Sequence, residues 1–505
     1  MHSKFLLSVF VFVSINVCAQ RITYEESSYK FKNGIPQNIF TLGGDTIGIF
    51  NLTVKAFNNK YFSLIRISAS LNFIDEKKFP KTLEDAYPIS LEKKGGKWIL
   101  FYSTESDKTD IVKYFTQAIN LNTFTPAGQP DFLFELKKSK LVFGHRFTYS
   151  EDMSKLLFLS TPDGDNTTTI AFALYDSIFH KLDENKFELP FPENKLSLEQ
   201  EYITKSGKVL LLIKSYEKKQ TIESRFDNEN PDAFKYHLVI YDRSMKAPLI
   251  KTVDCGSKVL SNLVFVDEQN GNLRFFGTYQ NSAKSYINGY FIYNDNGTGN
   301  EMKIDSFKEF PQTLLSNFTN ARFGNSTGIS KSFDLMSGLN RKKSGGHDFI
   351  LEYRHTSQNV SNDVYFYNGY IIDLHLTNDD KAIFTLIKKL QIEKNNSYTN
   401  GFYTSIDKSD NVRFLFNDNP DLLDKYEDPK AIQLMYTGGA GDFAFVSVDT
   451  AGKQIKRTID TPKDNYLFFP YSTFEIDDNH ILIFLSAKQS GFSGDAMKLG
   501  LITIK

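Results

Sequence analysis

The sequence has almost no cysteine: Cys18 and Cys255 are the only two in 505 residues. Cys18 falls in a leader that we expect to be removed, so no disulfide can form within the mature chain. A protein of this size without cross-links depends on its hydrophobic core for stability. Small scaffolds stapled by disulfides are therefore excluded. Cys255 has no partner and no activating neighbour in sequence, and we expect it to be a passive, core or half-buried thiol.

After the leader, the sequence lacks the apolar run of about 18 residues that a membrane-spanning helix needs. Charge of one sign is not in excess either, because 59 basic residues stand against 60 acidic ones, a formal net charge of −1. A near-neutral chain has no general electrostatic attraction for polyanions. We therefore expect no transmembrane segment and no nucleic-acid partner.

Motifs that identify a reaction are missing as well. The sequence contains no His-Glu-x-x-His, Gly-x-Ser-x-Gly, phosphate-binding loop or paired-cysteine pattern. We therefore predict no catalytic residue, no cofactor and no metal. The densest run of oxygen ligands, Asp163-Gly-Asp165-Asn166, lacks the bidentate glutamate of an EF-hand loop, and we interpret it as a turn. Asn294 to Gly297 is a weaker example of the same kind.

The first nineteen residues predict a secretory signal peptide. Lys4 precedes an apolar core at residues 5–13, and Val17-Cys18-Ala19 offers a cleavage site. Val17 stands where a lipoprotein needs a small residue, so lipidation is disfavoured. We expect the chain from Gln20 onward to be exported through the inner membrane to the periplasm or the cell exterior.

A polar turn that runs straight into an apolar strand occurs seven times. The last turn residue of each copy is, in order, Lys97, Lys155, Lys208, Asn272, His347, Asn411 and His480. Neighbouring markers lie 53 to 75 residues apart, which indicates a repeat with variable loops. The chain is also rich in Phe (46) and Tyr (26), which favour the pleated surfaces of sheets.

The repeat predicts an all-β protein, a single β-propeller over residues 20–505. Short sheets with apolar faces must bury them against one another, and a radial arrangement leaves only short, protected edges. Seven copies predict seven blades. Eight or six remain open, because the strand-like runs at residues 46–54 and 61–67 form either an eighth unit or the piece that closes the ring. A pair of smaller propellers or sandwiches is disfavoured, because no linker divides the chain.

One unit carries a family resemblance. Residues 148–160, the turn at residues 163–166 and the run at residues 170–176, which ends in Tyr175-Asp176, resemble the blade repeat of TolB-type and WD-repeat β-propellers. The aromatic-Asp pair recurs as Tyr241-Asp242 and, in weakened form, as Tyr293-Asn294. The resemblance implies a propeller of the kind seen in uncharacterised exported bacterial proteins. It carries over no functional residue.

Long connections supply the candidate binding surface. If the apolar strand after each marker is the third of its blade, the connections to the fourth strands all leave from one face. Hairpin loops usually take about 2–5 residues, but several of these are longer, at residues 217–234, 281–288, 354–363, 418–430 and 487–497. They form either a recognition surface or decoration without function. Residue types that anchor interfaces lie in or beside these loops: Arg225, Phe226, Tyr286, Arg354, Tyr426 and Phe492.

Two further sets of polar residues attract notice. One predicted strand carries five charged or titratable residues: His347, Asp348, Glu352, Arg354 and His355. They form either a metal or acid–base site or a solvated or salt-bridged strand face, and the second interpretation is favoured.

Arg274 and Arg413 occupy matching places in their units, each between apolar neighbours. A polar residue at a repeated position points to a shared channel or to a neighbouring blade. An arginine lying along the exposed blade surface is the alternative.

Three functions remain after these observations. The first is an exported, monomeric binding module that holds a protein or glycan through its long loops. The second is a hydrolase or lyase with its site in the central channel, and the third is a structural component of a cell-envelope assembly. The long loops favour the first, and the missing motifs weigh against the second.

Overall fold

A computed structural model describes residues 22–31, 34–43, 46–54, 60–78, 86–94, 96–106, 109–137, 146–160, 168–192, 195–217, 234–269, 271–283, 285–297, 299–318, 323–341, 343–358, 364–394, 400–418, 442–459, 466–487 and 497–505. These ranges hold 37 strands in eight sheets. The sheets follow one another along the chain, and each is built on antiparallel strands. The protein is therefore an all-β propeller with eight blades.

The first half of the ring begins with β1 (Ile22–Phe31), which is set apart. Blade 1 contains β2 (Gly34–Gly43), β3 (Thr46–Val54), β4 (Lys60–Ser68) and β5 (Phe73–Lys78). Blade 2 contains β6 (Ala86–Lys94), β7 (Lys97–Ser106), β8 (Thr109–Asn120), β9 (Thr125–Pro126) and β10 (Asp131–Lys137). Blade 3 contains β11 (Arg146–Tyr149), β12 (Lys155–Ser160), β13 (Thr168–Asp176) and β14 (Lys181–Leu189). Blade 4 contains β15 (Leu196–Ile203), β16 (Val209–Tyr216), β17 (Phe234–Tyr241) and β18 (Leu249–Asp254).

The second half begins with blade 5, which contains β19 (Val259–Gln269), β20 (Asn272–Gln280), β21 (Ile287–Asp295), β23 (Lys308–Glu309), β24 (Gly324–Asn325) and β25 (Gly328–Ile329). Within this stretch, β22 (Glu301–Lys303) joins the sheet of blade 4, and the helix α1 (Gln312–Leu315) lies between β23 and β24. Blade 6 contains β26 (Phe333–Asn340), β27 (His347–Gln358), β28 (Val364–Leu376) and β29 (Ala382–Lys394). Blade 7 contains β30 (Tyr403–Ile406), β31 (Val412–Asp418), β32 (Asp442–Val448) and β33 (Gln454–Ile459). Blade 8 contains β34 (Tyr466–Phe468), a 3-10 helix (Pro470–Ser472), β35 (Phe474–Asp477), β36 (His480–Ala487) and β37 (Met497–Ile504).

The ring closes by pairing the two ends of the chain. Strand β1 lies antiparallel to β37, with Ile22 opposite Ile504 and Tyr24 opposite Ile502. Blade 8 therefore takes its outer strand from the beginning of the chain, so opening the ring requires breaking a strand ladder.

The prediction of seven blades is wrong. The stretch before residue 90 supplies both of the pieces that the sequence left as alternatives: β2 to β5 form a complete blade, and β1 closes the ring. The predicted place of each strand within its blade is also wrong by one position. The apolar strand after each marker, such as β12, is the second strand of its blade, and the run that ends in aromatic-Asp, such as β13, is the third.

The repeated turn before each second strand has a backbone cause. Met153, Gly207 and Asp410 occupy equivalent turn positions, and each has a positive φ, of 57°, 98° and 61°. Each donates its N–H to the carbonyl three residues earlier, at 2.8–3.0 Å. Glycine adopts this conformation without steric cost, which explains the glycines that recur in this turn.

The aromatic-Asp pair is likewise a turn signal. Asp176 ends the third strand of blade 3, and its carboxylate accepts the N–H groups of Ile178 at 2.9 Å and His180 at 2.8 Å. Asp449 does the same for Ala451 and Lys453 in blade 7, at 2.9 Å each. These aspartates close the turn to the fourth strand and so serve the fold.

The core lies between adjacent blades. The middle strands carry apolar residues on both faces, as in β12, where Leu156, Leu157, Phe158 and Leu159 are all fully buried. Leu157 packs toward blade 4 and Leu156 toward blade 2. Blade-to-blade packing therefore replaces the single core of an ordinary domain.

Blades 4 and 5 also share strands. After β21 the chain crosses to blade 4, where β22 pairs in parallel with β18, and then returns through β23 to the edge of β21. Lys251 of β18 and Asp295 of β21 form an ion pair at this crossing, with 2.8 and 2.9 Å between Nζ and the two carboxylate oxygens. Among the described residues, no helix has the length and apolar character needed to cross a membrane.

Candidate functional site

The two faces of the ring differ in the connections that they carry. Strands alternate in direction within a blade, so the turns from first to second and from third to fourth strands lie on one face, which we call the turn face. The connections from second to third strands and between blades lie on the other, the loop face. The long connections found in the sequence join second to third strands, and they still share one face.

The structure tests only part of the predicted binding set. Arg225, Phe226, Tyr426 and Phe492 lie outside the described residues. The connection assigned to residues 418–430 has different bounds, because β31 ends at Asp418 and the next strand starts at Asp442.

Tyr286 and Arg354 are described, and both are partly exposed. The long connection predicted at residues 354–363 is wrong, because β27 continues to Gln358 and β28 begins at Val364. Tyr286 immediately precedes β21. Arg354 lies in β27, where its Nη1 is 3.7 Å from the sulfur of Met336 and its backbone N–H bonds the carbonyl of Ser332 at 2.7 Å.

A cavity of about 480 Å³ lies on the loop face where blades 4, 5 and 6 meet. Blade 4 contributes strand ends at Lys214, Phe234 and Tyr236, and the connection to blade 5 contributes residues 254–258. Blade 6 contributes Phe333 and Asp334, at the start of its first strand, and Lys331 just before it. None of these residues was singled out from the sequence except Cys255.

First strands line the centre of the ring, and their contacts bring the charges near this cavity together. The first strands of blades 3 and 4 touch through Arg146 and Glu201, whose Nη1 and Oε2 atoms are 2.7 Å apart. Two residues before Glu201 in the same strand, Glu199 of β15 pairs with Lys214 of β16 at 2.8 Å. The ammonium of Lys214 also lies 5.0 Å from the ring centres of Phe234 and Tyr236. Burial alone would lower the pKa of Lys214, but Tyr236 and Glu199 raise it, so the group is a fixed cation.

Asp334 is one of two aspartates in the cavity wall, with Asp254. Burial raises the pKa of Asp334 to about 6. The positive charges of Arg354 and Lys214 oppose this rise, and the negative charges of Glu352 and Glu199 add to it. Lys214 and Glu199 belong to blade 4 and Asp334 to blade 6, so the charges of two non-adjacent blades reach one point. The Asp334 carboxyl therefore changes charge near neutral pH.

Cys255 lines the same cavity as a half-buried thiol. Burial, with the neighbouring Asp254 carboxylate, raises the pKa of the thiol to about 12. Asp254 itself closes a turn by accepting the N–H of Gly256 at 2.9 Å. The expected half-burial of Cys255 is confirmed, and its passivity stays a prediction. Its place in a cavity wall was not foreseen.

Two of the charged residues crowded on β27, Asp348 and Glu352, are salt-bridged, but they are not solvated. Asp348 and Glu352 are completely buried. Asp348 receives two 2.6 Å hydrogen bonds from Arg341, and Glu352 pairs with the buried Lys389. These side chains face the neighbouring blades. The alternation of residues along the strand therefore predicted a salt-bridged face, but it did not predict that this face would be buried.

His347 belongs to the same set, and it lies 3.2 Å from Asp267 of blade 5. Within the described ranges, no group of three or more His, Cys, Asp or Glu side chains is arranged to hold a metal ion. The possible calcium loop at residues 163–166 lies outside those ranges, and Asn294 to Gly297 is a turn in which Gly297 donates to Asp295 at 3.2 Å.

Arg274 and Arg413 bridge neighbouring blades. Both are nearly fully buried, at 5% and 4% exposure. Arg274 pairs with Asp380 of blade 6, and Arg413 donates to the carbonyl of Asp478 in blade 8 at 2.6 Å. Of the two interpretations of these arginines, contact with a neighbouring blade is therefore confirmed, and their role is structural.

No family model matches this sequence, and no curated protein matches it. Three solved structures illustrate the structural likenesses. The WD40 domain of SCAP from fission yeast aligns with a TM-score of 0.39 and 8% identity, over 96% of this chain and 94% of that one. The β-propeller domain of the Trilobed protease from Pyrococcus furiosus gives 0.33 and 13%, over 74% and 100%. Prolyl oligopeptidase B from Galerina marginata gives 0.36 and 9%, over 91% of this chain and 56% of that one. At these scores no function is transferred, and the propeller assignment rests on the strand order.

Proposed function

We propose that this protein is an exported binding protein that holds a protein partner on the loop face of its propeller. One observation carries the proposal: the cavity between blades 4, 5 and 6 lies on the same face as the long second-to-third connections. A rigid ring with variable connections on one side is a common scaffold for recognition. The signal peptide expected at residues 1–19 and the TolB-like blade pattern support action outside the cytoplasm.

The connection between Tyr216 and Phe234 offers the most direct experimental test of this face. These two residues pair across β16 and β17, so a tight turn can join the strands without loss of ladder hydrogen bonds. Shortening residues 217–233 to such a turn leaves the blade packing of β16 and β17 intact. We therefore expect the melting temperature to stay nearly unchanged while partner binding weakens.

The test is a pull-down from cell-envelope extract with the chain starting at Gln20. The comparison is between the wild type, the shortened variant and a turn-face control, Lys97→Glu with Lys453→Glu, whose lysines are exposed on the opposite side. A partner captured by the wild type and the control but lost from the shortened variant supports the loop face. Equal capture by all three proteins would show that the working surface lies elsewhere.

A hydrolase or lyase sited in the channel is the second candidate. It is favoured by Asp334, because a carboxyl with a pKa of about 6 exchanges a proton efficiently near neutral pH. Asp334→Asn would then abolish turnover of any substrate found by screening and leave partner capture unchanged. Unaltered turnover in this variant would remove Asp334 from catalysis.

A further inference from the structure

A second cavity, of about 660 Å³, lies on the turn face between blades 1 and 2. Blade 1 contributes Leu42, Thr46 and Arg66, which lie near the ends of their strands. Blade 2 contributes Trp98 and residues 118–122, at the end of β8 and in the turn that follows it. The volume falls within the range of about 300–1,000 Å³ that is usual for small-molecule sites. This cavity shares no residue with the one on the loop face.

The guanidinium group in the wall is already neutralised within the protein. Arg66 donates from Nε to Oδ1 of Asp75 at 2.6 Å and from Nη2 to Oδ2 of the same carboxylate. These bonds raise the pKa of Arg66 and lower that of Asp75. Among the described residues of the wall, the only other ionisable side chain is that of Lys97, which is exposed to solvent. The described part of the wall therefore suits a ligand without charge.

The polar groups that the wall offers are neutral amides. Through its Oδ1 atom, Asn120 accepts the N–H groups of Asn122 at 3.0 Å and Thr123 at 3.4 Å. These bonds fix the side chain of Asn120 and leave its Nδ2 group as a donor. The side chain of Asn122 is exposed and forms no hydrogen bond with any other described residue. Two amides of this kind match hydroxyl groups, which both donate and accept hydrogen bonds.

Trp98 gives the wall its aromatic surface, and it is the only tryptophan in the sequence. It packs against a buried cluster that includes Leu64 and Leu100, so its indole is held in place. The ammonium of Lys93 lies 5.5 Å from the centre of the indole, but Lys93 does not line the cavity. The cavity therefore meets a part of the indole that Lys93 does not cover.

We propose that this cavity binds an uncharged saccharide, with the C–H groups of one sugar ring against Trp98 and its hydroxyl groups bonded to Asn120 and Asn122. A sugar ring combines an apolar face with a rim of hydroxyl groups, which matches an indole beside two amides. A purely apolar ligand would remove water from the amides without replacing their hydrogen bonds. The site lies on the opposite face from the proposed partner surface, so either proposal can fail without the other.

The test is the tryptophan fluorescence of the chain from Gln20 during titration with four neutral sugars: cellotetraose, xylotetraose, maltotetraose and laminaritetraose. Because the chain has one tryptophan, a saturable change in its emission reports on this cavity. We expect at least one of these sugars to give such a change. Asn122→Ala should weaken its binding by about tenfold or more, equivalent to about 1.4 kcal/mol. Asn479→Ala removes an exposed amide from a turn of blade 8 on the same face and should leave binding unchanged.

Calorimetry supplies a readout that does not depend on the tryptophan. Trp98→Leu keeps an apolar side chain against the cluster but removes the indole, so the heat of sugar binding should be lost while the melting temperature shows that the variant is folded. The absence of a saturable change with all four sugars, or equal weakening by Asn122→Ala and Asn479→Ala, would overturn the proposal. Tighter binding of tetragalacturonate than of every neutral sugar would overturn the uncharged class of ligand.

Discussion

The ammonium of Lys251 lies 2.8 and 2.9 Å from the two carboxylate oxygens of Asp295, and both side chains are almost completely buried, at 0% and 2% exposure. The pair joins the outer strand of blade 4 to the third strand of blade 5. It stands where the chain crosses between these blades and where β22 adds a parallel strand to β18. The pair therefore ties blade 4 to blade 5 where the chain crosses between them.

Removing one partner of this pair should be costly. Lys251→Met leaves the Asp295 carboxylate buried without its counter-ion, and breaking a buried pair in this way costs about 3–5 kcal/mol. Lys251→Met with Asp295→Asn removes both charges and should recover much of the loss. The melting temperature and the denaturant midpoint measure both effects. The control is Lys181→Met, which removes an exposed partner of Glu184 and should cost about 1 kcal/mol or less. A loss for Lys251→Met no greater than for this control would contradict a structural role.

The closure of the ring should be sensitive to one glycine. A Cβ on Gly500 would lie 2.5 Å from Cε2 of Tyr24 and 3.1 Å from Cγ1 of Ile483. Gly500→Ala should therefore destabilise the pairing of β1 with β37 by about 1–3 kcal/mol. Tyr24→Ala removes one of the two clashes, so the double variant should lose less than the sum of the single variants. Gly338→Ala is the matched control, since its nearest atoms would be 4.0 Å away. Strict additivity of the two changes would show that Tyr24 and Gly500 do not share this contact.

The buried carboxyl of Asp373 should make stability fall as pH rises. Burial, with the neighbouring Asp348 carboxylate, raises the pKa of Asp373 well above its ordinary value, and Arg341 only partly opposes this. The folded state therefore keeps a proton that the unfolded chain releases above about pH 4. The stability that this proton provides is complete below that pH and is lost as pH rises toward the raised pKa.

Asp373→Asn removes this titration, because an amide stays neutral at every pH and can still donate to Asp348. We expect its melting temperature to exceed that of the wild type by more at pH 8 than at pH 4.5. Taking the difference in melting temperature between the two proteins at each pH cancels the contribution of all other titrating groups. A difference that stays constant with pH, or that shrinks as pH rises, would refute the assignment.

Cys255 should react slowly while the protein is folded. A rise of its pKa to about 12 leaves roughly a thousandfold less thiolate near pH 8 than an ordinary cysteine has. Labelling by a thiol reagent should therefore be slow in buffer and fast in guanidinium chloride. Cys255→Ser should leave the capture of a partner intact, because the serine hydroxyl replaces a neutral thiol in the cavity wall. Rapid labelling of the folded chain would show an accessible thiolate instead.

The residues that build the repeat could be found in the sequence because their causes are local. A turn with a positive φ calls for glycine or a short polar residue, as at Gly207 and Asp410. A carboxylate that caps the next turn calls for aspartate at the end of a strand, as at Asp176. These requirements act within a few residues, so they leave a pattern that can be counted. The count missed blade 1, although Gly43 and Gly44 precede Thr46 just as glycines precede the second strands of blades 2, 4, 5 and 6.

By itself, the sequence determined the all-β class and the repeating turn-strand unit, since turn chemistry and strand periodicity are fixed by adjacent residues. Only the tertiary structure decided that Ile22 pairs with Ile504, that Arg413 reaches Asp478 of the next blade, and that Lys214, Lys258 and Asp334 meet at one cavity. Those relationships join residues tens to hundreds of positions apart, and they depend on how eight twisted sheets pack around an axis. No local propensity encodes contacts over that distance, so the grouping of these side chains between blades 4, 5 and 6 could be seen only in the folded structure.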